Sequence, residues 1–327
     1  MYSSKDMVVD AVITWVDGND PAHKVKMEDY LENKKSINSK SIRMRYDQVN
    51  EIEFAVKSIL QYAKFVRNIF IITDNQTPEF LKDKDKAKRE YPTVSIVDHK
   101  MIFEGYSQYL PTFNCLSIES LLYKIPNLSE HFLYLNDDFF LINETTIDDF
   151  FYQGKPVIRG FWTPFYENIW YKKVQSGFYN FIRKEDKIKK WGFKKGQQTI
   201  AKTLGFKKYL RLDHTIAPLK KSTYDNFYKK CPELLDVNIK HKFRHPEQYT
   251  NQSLANHLEI QKNNYILKED YQLVYFQNYN KPFWWLKYKL KKAEKDKNKL
   301  FLCLQSLDQC PEEKLRYIKN WLSTKYV

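Results

Sequence analysis

The stretch of sequence that decides the fold reads Phe132-Leu133-Tyr134-Leu135-Asn136-Asp137-Asp138-Phe139-Phe140. An apolar run of this length is typical of a strand that is buried on both faces. Two adjacent carboxylates are costly in such surroundings unless a partner compensates their charge. Divalent cations with oxygen ligands do this, so we expect Asp137 and Asp138 to bind Mg²⁺ or Mn²⁺. The alternative is that both residues cap a turn or a helix in solvent.

The length and composition indicate a globular α/β protein. The 327 residues, 43% of them hydrophobic, suffice for one large domain or two small ones. No apolar stretch reaches about 18 residues, and the N-terminus lacks the pattern of a secretory signal, so we expect neither a membrane span nor export. The four cysteines show neither metal-ligand spacing nor a disulfide framework, which favours a reducing cytoplasm.

The charge of the chain predicts an anionic partner. The formal net charge is +14, from 54 basic and 40 acidic residues. Nucleic acid, phosphorylated substrates and anionic lipid surfaces all fit this excess. Aromatic residues make up 16% of the chain. Tyrosine-rich surfaces suit sugars, membrane interfaces and bases alike, so the composition does not choose among these partners.

Outward from the decisive stretch, the N-terminal half alternates between strands and helices. Apolar runs predict strands at 8–16, 66–73 and 94–97, and apolar spacing predicts helices at 51–65 and 113–125. This alternation predicts a parallel sheet, whose ligands bind beyond the carboxyl ends of the strands. Polar residues follow each of the first three predicted strands: Asp17 and Asp20, Asp74 and Asn75, Asp98 and His99. We therefore expect one cleft at this edge, with His99 as a structural partner of Asp98.

The C-terminal half is less regular. Its patterns predict a strand at 156–162, basic helical structure at 171–210, a polar loop at 211–218, a helix from Phe243 to Leu258 and a last helix from 311. Residues 281–299 carry eight lysines against two acidic residues, a formal charge of +6. In a helix, Phe283, Leu286 and Leu290 form one apolar row, so we expect reversible attachment to the inner face of the cell membrane. The alternative is a basic helix that packs on the core through its aromatic residues.

Several segments together resemble the Stealth family of sugar-phosphate transferases. Asp10–Pro21 resembles the first conserved region of that family, His214–Pro218 the third, and Phe243–His245 with the following helix the fourth. The second region is resembled by the following segments: Arg43–Asp47, Glu51, Lys57–Ile59, Val66–Pro78, Leu110–Asn114, Ile118–Glu119 and Asn136–Asp138. The resemblance covers most of residues 8–260. Phe54 departs from a common tyrosine, Glu79–Leu81 replaces an aromatic-led turn, and the third region is short.

The resemblance implies both a fold and a reaction. The fold is α/β and Rossmann-like, with a mostly parallel sheet and a glycosyltransferase-A-like nucleotide-sugar site. The implied catalytic domain is 1–260, and 261–327 is a basic, aromatic, helical C-terminal extension. The reaction transfers hexose-1-phosphate from a nucleotide-sugar to a sugar hydroxyl of an oligosaccharide or lipid-linked glycan, and builds a bacterial capsular or cell-surface polysaccharide. The rival readings are an ordinary metal-dependent glycosyltransferase that moves only the sugar, and, less favoured, a basic nucleic-acid-binding protein.

The resemblance also implies roles for individual residues. His214 is the expected general base, because the neighbouring carboxylate of Asp213 can orient its imidazole. Asp137 and Asp138 are the expected metal ligands, oriented by Asn136. The other expected catalytic residues are Arg45 and Asn114, and the expected substrate contacts are Asp17, Gly18, Arg43, Asp47, Asp74, Asn136, Arg244 and His245. Each has a plainer alternative, such as a turn for Asp17, a solvated face for the two arginines and a helix N-cap for Asn114.

Overall fold

The computed structural model describes residues 7–34, 37, 39, 46–169 and 191–326. Arg43, Arg45 and the first half, 171–190, of the predicted helical stretch 171–210 lie outside these residues. The helices are α1 (Pro21–Glu28), α2 (Glu51–Tyr62), α3 (Lys84–Glu90), α4 (His99–Ile102), α5 (Cys115–Ser120), α6 (Phe193–Thr203), α7 (Lys221–Lys230), α8 (Pro232–Ile239), α9 (Asn251–Gln261), α10 (Phe283–Lys295) and α11 (Glu312–Lys325). The strands are β1 (Val9–Thr14), β2 (Val66–Thr73), β3 (Val94–Asp98), β4 (His131–Asn136), β5 (Phe139–Leu141), β6 (Phe151–Tyr152), β7 (Lys155–Arg159), β8 (Phe161–Pro164), β9 (Lys208–Arg211), β10 (Ala217–Lys220), β11 (Ile266–Lys268), β12 (Leu273–Phe276) and β13 (Phe301–Leu304).

The core sheet has the strand order β10-β4-β1-β2-β3. β1 pairs in parallel with both β2 and β4, and β2 pairs in parallel with β3. Only β10, at one edge, runs antiparallel to its neighbour. The predicted α/β fold with a mostly parallel sheet is therefore confirmed, and β1 to β4 end at the same edge.

The two covered faces of the sheet explain the apolar runs within the central strands. Leu133 and Leu135 of β4 belong to one hydrophobic cluster, and Phe132 and Tyr134 to the other. Successive side chains of a strand point to opposite faces, so a strand covered on both sides is apolar throughout. The first cluster also contains residues of α2, α10 and α11, and the second contains residues of α5 and α7 to α9.

The C-terminal residues complete the core next to the carboxylates. β13 pairs with β5 in antiparallel register and with β12 in parallel register. Leu304 N–H donates to the carbonyl of Asp138 at 3.1 Å. Tyr326 is fully buried, and its hydroxyl donates to the carbonyl of Leu141 at 2.8 Å. The predicted helical extension thus contains strands as well as helices, while the predicted boundary at 260 stays a prediction.

Four predicted elements differ from the structure. The predicted helix 113–125 ends at Ser120 and continues as a 3₁₀ turn, Leu122–Lys124. The predicted strand 156–162 divides at Gly160, where a Cβ atom would lie 2.9 Å from the carbonyl oxygen of Arg211. The predicted loop 211–218 contains the start of β10. The helix expected from Phe243 begins only at Asn251, since the residue before Pro246 disfavours the helical conformation.

The basic helix α10 packs on the core through its apolar row. Leu286 and Leu290 are 3% and 1% exposed, and the ring of Phe283 lies edge-on to Tyr317 at 5.3 Å. The expectation that this row faces a membrane is therefore wrong, because the first hydrophobic cluster covers it. Among the described residues, no helix is both long and apolar enough to cross a bilayer.

Candidate functional site

Two cavities lie at the carboxyl edge of the core sheet. The His214 cavity, of about 340 Å³, is lined by residues that include Asp213, His214 and Glu119. The His23 cavity, of about 460 Å³, is lined by residues that include Trp15 and His23. The two cavities share five lining residues: Cys115, Asn136, Asp138, Arg244 and Gln305. The end of β4 therefore forms part of the wall between them.

Asp137 and Asp138 occupy the turn between β4 and β5. Burial, followed by the charge of Asp138 and then that of Glu51, raises the pKa of Asp137 well above its usual range. Burial also raises the pKa of Asp138, although His214 opposes this rise. The Oδ1 atom of Asp138 is buried and has no hydrogen-bond partner in the described ranges, and Oδ2 accepts a weak bond from Cys303 Sγ at 3.8 Å. The described surroundings therefore do not compensate the charge that the two carboxylates carry when they are ionised.

Glu51 adds a third carboxylate to this region. It is the first residue of α2, is 6% exposed and lines the His23 cavity. It accepts a hydrogen bond from Val49 N–H at 2.6 Å, and burial raises its pKa to about 7. An oxygen-rich site of this kind suits a hard divalent cation.

The imidazole of His214 is held by a carboxylate and by aromatic rings. Its Nδ1 lies 3.0 Å from Oδ1 of Asp213, which also accepts a bond from the backbone N–H of His214. The ring stacks on Tyr275 with centroids 5.0 Å apart, and Phe193 lies 5.1 Å away. No described residue hydrogen-bonds to Nε2, so this nitrogen is available to a ligand in the His214 cavity.

The guanidinium of Arg244 lies where the two cavities meet. Its Nη2 donates to Cys115 Sγ at 2.9 Å, and its central carbon lies 5.0 Å from the ring centre of Trp191. The planar fork of an arginine binds phosphate oxygens in pairs. Arg244 thus lies at the wall that the two cavities share, and its predicted contact with a phosphate stays a prediction.

A buried hydroxyl joins the acidic turn to Glu119. The Tyr134 hydroxyl lies 3.0 Å from Glu119 Oε1, 2.9 Å from Asn136 Oδ1 and 3.0 Å from Thr14 Oγ1. Burial raises the pKa of Glu119 to about 7, and its buried Oε2 has no hydrogen-bond partner among the residues that the structure describes. Glu119 lines the same cavity as His214. Sequence reasoning assigned no role to Glu119. The sequence feature that could have indicated a role for Glu119 is the presence of a carboxylate inside the apolar segment 113–125.

The His23 cavity contains buried polar groups that lack partners. His23 and His99 are 6% and 5% exposed, and among the described residues none of their ring nitrogens has a hydrogen-bond partner. Trp15 Nε1 and Thr112 Oγ1 likewise have no partner within the described part of the chain, and both residues line the same cavity. Burial lowers the pKa of both histidines, which favours their neutral forms. Sequence reasoning missed this group, because its members lie far apart in the chain.

The predicted pairing of His99 with Asp98 is wrong. The carboxylate of Asp98 accepts hydrogen bonds from the backbone N–H groups of Asn75 and Lys100, both at 2.8 Å. It thereby caps the short helix that follows it, and the His99 ring lies instead at the cavity wall. Asp74 lines this cavity as well, with Lys26 Nζ 2.7 Å from its Oδ2.

The other predicted site residues divide into two groups. Asp47 and Asn136 line the His23 cavity. Asn114 is fully buried outside both cavities, where its side chain bonds Leu116 N–H, Gln248 Oε1 and a backbone carbonyl, as a helix cap does. Three further residues also lie outside the cavities: Asp17, Gly18 and the exposed His245. The carboxylate of Asp17 accepts a hydrogen bond from Asn19 N–H. A Cβ atom at Gly18 would lie 2.4 Å from the carbonyl oxygen of Tyr46. The functional roles of these residues stay predictions.

Comparison with protein families gives two matches. Residues 7–35 match Stealth protein conserved region 1, and residues 45–158 match Stealth protein conserved region 2. The predicted resemblance to these two regions is confirmed. The acidic turn at Asp137 and Asp138 lies inside the second match. His214 and Arg244 lie beyond both matches, so the resemblance to the third and fourth regions stays a prediction.

The chain is also similar to curated proteins from bacteria. It is 32% identical to the capsular polysaccharide phosphotransferase cps1A of Actinobacillus pleuropneumoniae, over 72% of this chain and 60% of that protein. It is 39% identical to the exopolysaccharide phosphotransferase SCO6023 of Streptomyces coelicolor, over 48% of this chain and 25% of that protein. The chain thus spans at most about 60% of the length of these two relatives.

Solved structures give weaker likenesses. The galactosyltransferase LgtC, in complex with donor and acceptor sugar analogs, aligns with a TM-score of 0.41 at 10% identity, over 96% of this chain and 95% of that one. The apo glycosyltransferase GlyE of Streptococcus pneumoniae aligns with a TM-score of 0.37 at 14% identity, over 90% of this chain and 54% of that one. Scores this low carry no argument about the site.

Proposed function

The chain belongs to the Stealth family, whose conserved regions 1 and 2 it carries, and on this premise we propose that it is a sugar-phosphate transferase. It moves a hexose-1-phosphate, such as an N-acetylhexosamine-1-phosphate, from a nucleotide-sugar to a sugar hydroxyl. The acceptor oxygen forms a bond to the sugar-bearing phosphorus as the bond to the nucleoside monophosphate breaks. The product is a phosphodiester in a bacterial capsular or cell-surface polysaccharide, in keeping with the names of the relatives.

The observation that carries this proposal is the pair of cavities that share one polar wall. A group transfer needs two substrates on either side of the reacting atom, held within contact distance. The two cavities meet at Asp138 and Arg244, a carboxylate and a guanidinium. Phosphoryl transfer depends mainly on positioning and charge stabilisation, which these groups would supply. We therefore assign the reacting phosphorus to this shared wall.

The unpartnered groups support the assignment of the donor to the His23 cavity. Trp15 Nε1 is a donor, and the neutral imidazoles of His23 and His99 each offer one donor and one acceptor. Buried polar groups usually have hydrogen-bond partners, so partners from a ligand would satisfy these atoms. A nucleoside offers donors and acceptors on its base and ribose. The acceptor glycan would then bind in the His214 cavity.

The acidic turn fits a divalent cation. Asp138 Oδ1 is a buried oxygen without a partner among the described residues. Burial disfavours the ionised forms of Asp137 and Asp138, and the charge of Asp138 further disfavours that of Asp137. Oxygen ligands of this kind favour Mg²⁺ or Mn²⁺ over softer metals. When bound, such an ion would neutralise charge that develops on the diphosphate. Asp137 and Asp138 would hold it, and Asn136 would orient the turn.

His214 is the proposed general base. Asp213 fixes the ring through Nδ1 at 3.0 Å, which leaves Nε2 to take the proton of the acceptor hydroxyl. The carboxylate also stabilises the imidazolium that forms. Arg244 is proposed to bind the phosphate oxygens from the shared wall.

The nature of the released nucleotide tests this function. The purified chain is incubated with a panel of nucleotide-sugars, Mg²⁺ and capsular oligosaccharide acceptors, and the nucleotide products are resolved by chromatography. Release of nucleoside monophosphate, with phosphorus retained in the glycan, supports the proposal. Release of nucleoside diphosphate, with transfer of the sugar alone, would contradict the proposal and show that the protein is an ordinary glycosyltransferase.

We also propose that the exposed face of α10 holds the enzyme at an anionic membrane surface. Trp284 and Tyr288 lie one turn apart and are 68% and 60% exposed. Lys291, Lys292 and Lys295 are exposed on the same helix. Amphipathic aromatic residues favour the headgroup level of a membrane, and lysines favour its negative charge. A glycan acceptor carried by lipid would lie at such a surface.

A further inference from the structure

We propose that His241, His245 and Glu247 form a second metal site, which takes a transition-metal dication such as Zn²⁺. One ligand atom from each of the three residues lies within 4.8 Å of the other two. Among the residues that the structure describes, this is the one grouping of three such side chains at that spacing. We call it the His241 cluster. It is separate from the acidic turn and lies outside both cavities.

The side chains of the cluster converge on one carboxylate oxygen. His241 Nε2 contacts Glu247 Oε1, and His245 Nδ1 lies 3.7 Å from the same oxygen. The two imidazole rings lie face to face, with centroids 4.0 Å apart and planes 13° apart. Two histidines, one carboxylate and an open position for water are a known ligand set for Zn²⁺. Mg²⁺ prefers oxygen ligands, so the cluster and the acidic turn would take different metals.

The backbone of the cluster is fixed by hydrogen bonds to three buried side chains, those of Asn114, Ser117 and Gln248. The carbonyl of His241 accepts from Asn114 Nδ2 at 3.2 Å and from Ser117 Oγ at 3.3 Å. The N–H of His245 donates to Gln248 Oε1 at 2.7 Å, and Gln248 is itself fully buried. Because the two imidazoles stack, one ring must turn before both nitrogens can point at one ion, and the fixed backbone leaves only side-chain torsions to be ordered when a metal binds. The side chains of His245 and Glu247 are 47% and 40% exposed, so an ion can reach them from solvent.

The competing reading of the cluster is a salt bridge that needs no metal. Lys240 Nζ lies 2.8 Å from Glu247 Oε1, where its positive charge would oppose a dication. The two readings therefore make opposite predictions for Lys240. As part of a salt bridge it stabilises the cluster, whereas beside a metal site it weakens binding of the ion.

The cluster flanks Arg244 in the sequence. His241 and His245 lie on either side of this residue, whose guanidinium reaches the wall between the cavities. A bound ion would thus hold the segment that carries Arg244. The Asn114 side chain, which anchors the same segment at His241, would act as a positioning residue for it.

Zinc binding to the full chain tests the proposal. Affinity and stoichiometry are measured by competition with a chromogenic zinc chelator, in excess Mg²⁺. We expect one Zn²⁺ per chain, and still one in the Asp138→Asn variant. His241→Gln and Glu247→Gln should each weaken binding by about tenfold or more, since each removes one of three ligands. Lys240→Met should strengthen the binding of Zn²⁺, because it removes the positive charge beside Glu247.

His131→Gln is the matched control, because His131 is half-buried and lies outside the cluster. It should bind Zn²⁺ as the wild type does. Zn²⁺ should also raise the thermal midpoint of the wild type but not that of Glu247→Gln, since only the folded cluster binds the ion. Absence of stoichiometric binding, or equal binding by all variants, would overturn the proposal and leave the salt bridge. None of these measurements depends on the transferase activity.

Discussion

Arg244 Nη2 donates a hydrogen bond to Cys115 Sγ at 2.9 Å, at the wall that both cavities share. Cys115 is the first residue of α5, so this contact ties the loop before α9 to a helix on the other side of the site. The guanidinium is therefore held in place before any ligand binds. A side chain that is already positioned loses little freedom on binding a phosphate.

Arg244→Lys should weaken donor binding although it keeps the positive charge. Lysine lacks the planar fork and stacks less well on Trp191. We expect KM for the nucleotide-sugar to rise by about tenfold or more, since hydrogen bonds to charged groups contribute about 1.5–3 kcal/mol. Steady-state kinetics measure this. Cys115→Ser retains an acceptor and should stay close to the wild type. An unchanged KM in Arg244→Lys would remove the arginine from the donor site.

Asp137→Asn and Asp138→Asn should abolish transfer and leave the fold largely intact. Each variant removes a charged ligand from the proposed metal site, and loss of such a clamp costs several kcal/mol of barrier. Activity is measured across a Mg²⁺ titration, and folding by circular dichroism. Asp148→Asn, a change at an exposed carboxylate away from the site, is the control. Full activity of both variants, or undiminished wild-type activity in excess chelator, would contradict the metal role.

His214→Ala should lower kcat strongly while the affinity for the nucleotide-sugar stays near that of the wild type. A general base acts mainly in the transition state, so its loss affects turnover more than ground-state binding. Asp213→Asn should lower kcat as well, because the amide no longer stabilises the imidazolium. Donor affinity is measured by calorimetry without acceptor. If binding is lost and the residual turnover is normal, His214 is a donor ligand and the base lies elsewhere.

The stability of the fold should depend on pH through His257. Burial lowers its pKa to about 4, and its neutral ring accepts from Leu210 N–H at 3.2 Å and bonds Ser253 O at 2.7 Å. The unfolded chain takes up a proton below about pH 6.5, whereas the folded chain does so only near the lowered pKa. Between these values the unfolded state binds more protons, so the contribution of His257 to stability falls as pH falls.

His257→Gln removes the pH-dependent contribution of His257 to the free energy of unfolding. Between pH 7 and 5, the free energy of unfolding of the variant should fall by about 2 kcal/mol less than that of the wild type. Urea unfolding at both pH values measures the difference. The comparison of two chains is needed because Glu51 and Glu119, whose pKa values are raised to about 7, act with the opposite sign. Parallel curves for both chains would contradict the assignment.

Membrane attachment should depend on the exposed face of α10. The double variant Trp284→Ala/Tyr288→Ala should pellet less with vesicles that contain phosphatidylglycerol, and salt should release the wild type. Each lysine near such a surface contributes about 1 kcal/mol, so the attachment is reversible. Tyr152→Ala, at another exposed tyrosine, is the control. Equal pelleting of all three chains would exclude α10 as the contact.

Local patterns were sufficient to predict the central sheet. β1, β2 and β4 carry apolar runs at 11–13, 69–72 and 132–135 because both faces of the sheet are covered, and the short-range spacing of apolar residues reveals these runs. The acidic turn was found in the same way, since two carboxylates beside a buried strand are conspicuous. The pairing of β13 with β5 was missed, because contacts between residues about 160 positions apart leave no periodic signal.

The unpartnered groups of the His23 cavity were missed for a related reason. Trp15, His23, His99 and Thr112 belong to different segments, and only the folded chain brings them to one wall. Each of them alone is an ordinary core or turn residue. The pairing expected for His99 failed because backbone N–H groups, which every residue but proline carries, satisfy Asp98 first.

The contact of β13 with the acidic turn sets an order for biosynthesis. The carbonyl of Asp138 accepts a hydrogen bond from Leu304 N–H, and its Oδ2 accepts one from Cys303 Sγ. Both donors belong to β13, which the ribosome synthesises more than 160 residues after Asp138. A nascent chain that ends before Phe301 already carries both carboxylates but leaves one side of β5 open to water. We therefore expect donor binding to appear only after residue 304 has left the ribosome tunnel, so that a prematurely terminated chain holds no activated sugar. Stalled chains of graded length, probed with a fluorescent nucleotide-sugar, would reveal the step.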